Sequence, residues 1–224
     1  MSEKVIDVKE EKPSLLGIIT NPTEQFERIR KRPVFWGALV VVTIILIVGL
    51  WLTTIGIEIP EFEDLSEEEV LVGKIVGVIS LAILGIINTV ISILFSTVLY
   101  LLVAKVNRSQ VTFKQLFSMN TYIMLITSIS ITVNEFIAFL LGDNHAENNS
   151  LFTSLGAFVN VEGPMGVLLN YIEVFGIWTL ILTVIGLQKV AKFTKSQAWI
   201  VALVFFFINM IFAMSNVAAS GLMN

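Results

Sequence analysis

Glu135 and Glu173 stand inside stretches of chain that carry no other charge, and each has an asparagine close by: Asn134 beside Glu135, and Asn170 three residues before Glu173. Holding an ionised side chain in hydrocarbon costs at least a few kcal/mol, so an acid in such a position is a functional candidate by default. Two chemistries fit these four residues. In one they form a structural polar cluster, the carboxyls being protonated acids bonded to each other or to the asparagines. In the other they form a site for a proton, a cation or a substrate. The structural cluster is the favoured reading. Asn88 and Asn209 fall near the middle of two further apolar stretches, where polar side chains bond across helices.

Other chemistries lack their residues. There is no cysteine, and His145 is the single histidine. Thiolate metal sites, cysteine nucleophiles, H-E-x-x-H zinc sites and triads built on several histidines are therefore absent. There is no G-x-x-x-x-G-K-[ST] loop for phosphates, and no lysine inside an apolar stretch to activate a serine. These absences predict a protein that is not an enzyme and holds no metal or cofactor.

The elements that must position these residues follow from composition. The 224 residues are 55% hydrophobic and 14% charged, against about 25% charged in soluble proteins. A spanning helix needs about 20 mainly apolar residues. Five stretches satisfy this: Val34–Thr54, Ile75–Val103, Leu116–Leu141, Met165–Leu187 and Ala198–Ala219. Their continuity excludes the short alternating strands of a barrel. The fold class is an all-α, polytopic membrane helical bundle with five transmembrane helices. Glu135 and Glu173 then lie at similar depth, roughly 9–12 Å from the same end of their spans, which predicts that they approach one another.

Every Lys and Arg except Lys74 falls before the first span or in the second or fourth connection. The positive-inside rule places those segments in the cytoplasm, giving an N-in/C-out, multi-pass protein of the cell membrane. The same rule accounts for the basic residues without nucleic acid. The first span follows a long hydrophilic segment and is not a signal peptide. Residues 1–33 form a cytoplasmic tail and an amphipathic helix, and residues 34–224 the membrane domain. Asn21, Pro22 and Glu24 are helix-start residues. Phe26 and Ile29 share an apolar face, surrounded by Arg28, Arg30, Lys31 and Arg32. That pattern suits an interfacial helix on anionic lipid, or a positive flank that only sets topology.

Connections add further expectations. Glu58, Glu61, Glu63, Asp64, Glu67, Glu68 and Glu69 crowd the first outside loop, where a solvated acidic run is favoured over a cation or peptide site. Asn148-Asn149-Ser150 is a glycosylation triplet read as chance. Ser66 with Glu69, Thr112 with Gln115, and Thr194 with Gln197 are capping boxes. The last two each follow a Lys-Val pair, Lys105-Val106 or Lys189-Val190, so spans two–three and four–five read as parallel repeats. Gly73 with Gly77, and Ser92 with Ser96, have the small-xxx-small spacing that permits close helix approach. Internal packing is favoured for them over a homo-oligomer. In the third connection Ser150 can cap a segment bearing Leu151, Phe152, Leu155, Phe158 and Val159, an interfacial helix or a cover on the bundle.

Three segments carry a family resemblance. They are Asn21-Pro22-Thr23-Glu24-Gln25-Phe26-Glu27-Arg28-Ile29 with Arg32-Pro33; Leu168-Leu169-Asn170-Tyr171-Ile172-Glu173-Val174-Phe175-Gly176-Ile177-Trp178; and Ile185-Gly186-Leu187 with Gln197-Ala198-Trp199. Over about residues 14–215 the chain resembles the bacterial branch of the Yip family, named for interaction with Ypt/Rab GTPases. Glu173 stands where the family pattern usually has aspartate, which keeps a carboxyl. The resemblance implies five spans and a non-enzymatic, partner-binding role. Some similar bacterial members are accessories to ABC exporters of the Ykn type, with a part in resistance to a secreted peptide toxin. The implied function is a membrane adaptor or assembly factor whose partners are ABC exporter subunits and membrane lipids. The alternatives are a small transporter or channel using the polar cluster, and a lipid-interacting, membrane-shaping protein.

Overall fold

The structure, a computed structural model, describes residues 11–55, 66–142, 151–159, 161 and 163–221, and among these it is helical throughout its framework. Two short helices, α1 (Leu15–Thr20) and α2 (Pro22–Lys31), precede the long ones. Then come α3 (Trp36–Ile55), α4 (Glu67–Val106) and α5 (Phe113–Leu141). A single 3-10 turn, Leu155–Phe158, leads into α6 (Gly163–Tyr171), α7 (Val174–Lys189) and α8 (Lys195–Gly221). Among the described residues four helices, α3, α4, α5 and α8, are long and apolar enough to cross a membrane, while α7 is a shorter apolar helix.

The fourth predicted span departs from expectation. Met165–Leu187 reads as one run, yet the structure breaks it at Ile172–Glu173, between α6 and α7. A broken helix needs partners for the freed backbone groups. The segment after α5 supplies them. The Leu155 N–H donates to the Ile172 carbonyl at 3.0 Å, and the Val174 N–H donates to the Thr153 carbonyl at 3.3 Å. Ser154 and Glu173 thus form an antiparallel bridge. Hydropathy sees the apolar run but cannot see a partner some twenty residues upstream.

Local chemistry at the helix starts follows the sequence. The Ser66–Glu69 and Thr112–Gln115 boxes are both reciprocal. Gln197 likewise accepts from Thr194 N–H and donates its own N–H to the Thr194 hydroxyl. The two box glutamines also reach outward: Gln115 Nε2 donates to the Arg30 carbonyl at 2.7 Å, and Gln197 Nε2 to Asn107 Oδ1 at 3.0 Å. Each preceding connection holds a basic residue with positive φ, Arg108 at 54° and Lys192 at 60°. The α4–α5 and α7–α8 hairpins therefore share a left-handed basic residue and a T-x-x-Q start. At its other end α5 stops at Gly142, whose φ of 64° suits a residue without a side chain.

The main core lies at the end of the bundle that carries the amino-terminal helices. Ile18, Phe26 and Ile29 have no exposed surface and pack with Leu116, Met119, Leu182 and Leu187. Gly186 permits this approach, since a Cβ there would meet Met119 Sδ at 2.7 Å and Phe26 Cε1 at 3.4 Å. The apolar face of α2 is thus covered by protein, where one of the two sequence readings places it on a leaflet. Periodicity shows that a face is apolar but not what covers it. Leu16, 76% exposed, remains an apolar group on the open side of α1. In contrast, none of the most apolar stretch of α4 is buried. The segment Leu151–Val159 folds back onto the break and contributes a 3-10 turn, in place of the interfacial helix that one sequence reading suggests.

Candidate functional site

The helix break creates the site. Glu173 is the N-cap residue of α7 and is 7% exposed, its side chain turned into protein. Its Oε1 accepts two hydrogen bonds. One comes from the Ser130 hydroxyl on α5, and one from the Thr153 hydroxyl at 2.8 Å. Asn134, one helical turn beyond Ser130 and 1% exposed, locks the donors in place. Its Nδ2 donates to the Ser130 carbonyl and to Thr153 Oγ1, both at 2.9 Å, and its Oδ1 accepts from the Thr153 N–H at 3.1 Å. Thr153 therefore accepts from Asn134 and passes its own proton's bond to Glu173. Asn170 joins from α6, where its Oδ1 accepts from the Ser154 hydroxyl at 2.9 Å.

Three of the four residues singled out in the apolar stretches are thus in one connected patch: Asn134, Asn170 and Glu173. Glu135 is not in it. Its half-buried side chain makes no hydrogen bond or ion pair among the described residues, and none joins it to Glu173. Adjacent helical residues point about 100° apart, so Asn134 and Glu135 cannot both face the same partner. Ser130 and Thr153 were not singled out by sequence. Hydroxyls are common in apolar helices and usually bond their own helix, so nothing in their spacing sets them apart.

Beside Glu173 lies a cavity of about 510 Å³ between α4, α5, the α6–α7 break and α8. Its polar lining includes Thr127, Ser130, Asn170, Glu173, Thr179 and Asn209. Tyr171, Phe175 and Phe206 supply aromatic walls. Tyr171 is fixed by its hydroxyl, which donates to the Asn209 carbonyl at 3.1 Å, and by an edge contact with Phe206. The Asn209 side chain donates to the Phe205 carbonyl of its own helix at 2.8 Å. Asn88 is exposed on α4 and makes no side-chain hydrogen bond among the described residues.

The basic residues of α2 are placed differently from one another. Arg28 pairs with Glu24 at 2.6 Å and Glu11 at 2.5 Å, while Arg30 and Lys31 are exposed. Arg32 is half-buried at the end of α2. Glu27 pairs with Lys189 at the end of α7 at 2.7 Å. The Lys189 ammonium holds the Glu27 carboxyl below the usual carboxylate range, through its hydrogen bond and its charge. Among the described residues no cluster of three or more His, Asp or Glu could hold a metal. Glu58, Glu61, Glu63, Asp64, His145 and the Asn148 triplet lie outside the described residues.

The Yip1 domain matches residues 16–216. The chain is 33% identical over 239 residues to the membrane protein YknW of Bacillus subtilis strain 168, covering 99% of this chain and 96% of that relative. No solved structure matches it. The Yip1 match begins within α1, takes in the break at Glu173 and runs into the end of α8, so the chain belongs to the Yip1-domain family of membrane proteins, in its bacterial branch.

Proposed function

We propose that the protein is a non-enzymatic membrane adaptor or assembly factor, accessory to an ABC-type exporter, with a part in resistance to a toxic peptide. The observation that carries this is the near end-to-end similarity to YknW, taken with the accessory role that the family resemblance implies. The fold suits it: no residue in the most apolar stretch of α4 is fully buried, and its exposed face is available to other spanning helices. On this reading α6 and α7 together make a fifth, discontinuous span. The chain runs N-in/C-out in the cell membrane, because the basic connections lie at the end that carries α1 and α2. Residues 1–33 are cytoplasmic, and Arg30 and Lys31 face anionic headgroups there.

Purification of the full chain from its own membranes in gentle detergent, followed by mass spectrometry, tests the assignment. Recovery of ABC exporter subunits in fixed proportion is the expected result. A second reading, a small transporter, is favoured by the cavity beside Glu173. Substrate flux by the purified protein alone in liposomes, with no ABC subunit recovered, would replace the adaptor with that reading.

A further inference from the structure

The two oxygens of Glu173 are treated differently. Oε1 takes the Ser130 and Thr153 hydrogen bonds, whereas Oε2 accepts none among the described residues. No buried side-chain oxygen or nitrogen among those residues lacks a partner, so Oε2 is accessible, and it lies beside Gly176, which lines the same cavity as Glu173. Thr127 and Thr179 line the same cavity, and their hydroxyls make no hydrogen bond among the described residues. Three polar side chains with groups unpaired among the described residues thus border one space. Lipid tails cannot satisfy them, and an unsatisfied polar group in hydrocarbon costs several kcal/mol.

The chemistry of the lining selects the occupant. No Lys, Arg or His lines the cavity, so an anion would face a carboxyl with nothing to pair it. A primary ammonium carries three N–H donors and no acceptor. Oε2 and the two threonine oxygens are three acceptors. Phe175, Phe206 and Tyr171 stand around them, and aromatic faces attract cations. Ser92 on α4 and Asn209 on α8 line the cavity and are both exposed, so it opens sideways between these helices, where an apolar body can remain in the bilayer.

We propose that this cavity binds a primary ammonium group carried on an apolar body, with the Glu173 carboxylate as its counter-ion. The group can come from a phosphatidylethanolamine headgroup or from a free alkylamine. The site stands whether or not the protein assists an exporter.

Native mass spectrometry of the full-length protein, loaded with equal mole fractions of phosphatidylethanolamine, phosphatidylcholine and phosphatidylglycerol, tests it. Phosphatidylcholine has the same charge but no N–H donor. Retention of phosphatidylethanolamine about tenfold above phosphatidylcholine is expected, the difference that charge-assisted hydrogen bonds carry. Glu173→Gln should abolish that preference. The double variant Thr127→Val with Thr179→Val should do the same without touching the Ser130–Thr153 network, which covers the case in which the Gln variant folds poorly. Dodecylammonium added to protein loaded only with phosphatidylglycerol separates the sources. Preference for phosphatidylethanolamine that depends on these side chains identifies the lipid, and dodecylammonium binding with the same dependence but no lipid preference identifies the free amine. Binding of neither amine above phosphatidylcholine, or binding unchanged in both variants, overturns the proposal.

Discussion

Thr153 reaches Glu173, 20 residues on in sequence, by donating its hydroxyl to Glu173 Oε1 at 2.8 Å, and its carbonyl accepts the N–H of the next residue, Val174, at 3.3 Å. The first bond sets the carboxyl, and the second satisfies the backbone where the helix is broken. The two cannot be separated. A segment that left the break would strand a carboxyl and peptide groups together.

Asn134 is the residue on which that arrangement turns. Replacement by Ala removes the acceptor of the Thr153 N–H and the donor to the Ser130 carbonyl and Thr153 Oγ1. Each buried group left unpaired costs about 1–3 kcal/mol. Asn134→Ala should therefore lower the thermal midpoint in detergent well beyond Glu135→Ala, whose side chain makes no such bonds among the described residues. Equal midpoints would show that the segment docks by apolar contact alone.

Glu173 gives a second comparison. Glu173→Gln keeps a side-chain oxygen to accept from Ser130 and Thr153, whereas Glu173→Ala strands the Ser130 hydroxyl and leaves the Thr153 hydroxyl only its longer contact with Asn134 Oδ1 at 3.2 Å. The Ala variant should lose about 1–3 kcal/mol and the Gln variant markedly less. A Gln variant as unstable as the Ala variant would mean that the negative charge itself holds the break.

The apolar runs of the long helices and their capping boxes were legible in the sequence because both signals are local. Thr112 and Gln115 are three residues apart, and an apolar stretch announces itself. Glu173 and Asn170 were legible for a different reason, the cost of polarity in an apolar run. What was hidden is long-range. Nothing near Thr153 says that it will meet Asn134, 19 residues away in sequence. Nothing in the run from Met165 to Leu187 marks the break, because the feature that permits it is the upstream segment. Depth in the span paired Glu135 with Glu173, but rotation about the helix axis placed Asn134 there instead. Phe26 and Ile29 repeat the lesson, since the apolar stripe was readable and its protein partner was not.

That partner makes Phe26 a stability determinant. It is fully buried against Met119 and the open side of Gly186. Phe26→Ala should cost about 3–5 kcal/mol. Arg30→Gln and Lys31→Gln, on the exposed side, should change the detergent midpoint by under about 0.5 kcal/mol. A mild Phe26→Ala effect would indicate that the amino-terminal pair docks loosely and that its apolar face is free for lipid.

The Glu27–Lys189 pair predicts a small acid sensitivity. Its folded carboxyl is held below the ordinary value of 4.5 by the Lys189 hydrogen bond and charge. A depressed folded pKa contributes stability above the unfolded value and loses it as pH falls through the folded one. Both side chains are at least a third exposed, so the contribution is under about 1 kcal/mol. Glu27→Gln should lower the midpoint slightly at neutral pH and not at about pH 3, and salt should shrink the difference. A difference that grows on acidification would contradict the pairing.

Orientation is open to a direct test because the chain contains no cysteine. Phe158 is 83% exposed at the end of the bundle that holds the helix break. Gln110 is exposed in the connection between α4 and α5, at the basic end. It is a better probe than its neighbour Ser109, whose hydroxyl donates to the Ala191 carbonyl at 2.5 Å and ties two connections together. With the basic connections inside, Phe158→Cys should react with an impermeant thiol reagent on intact cells. Gln110→Cys should react only after the membrane is opened. Labelling of Gln110→Cys in sealed cells, with Phe158→Cys protected, would invert the orientation. The cavity beside Glu173 would then belong to the inner half of the membrane, and Arg30 and Lys31 would face away from the anionic leaflet.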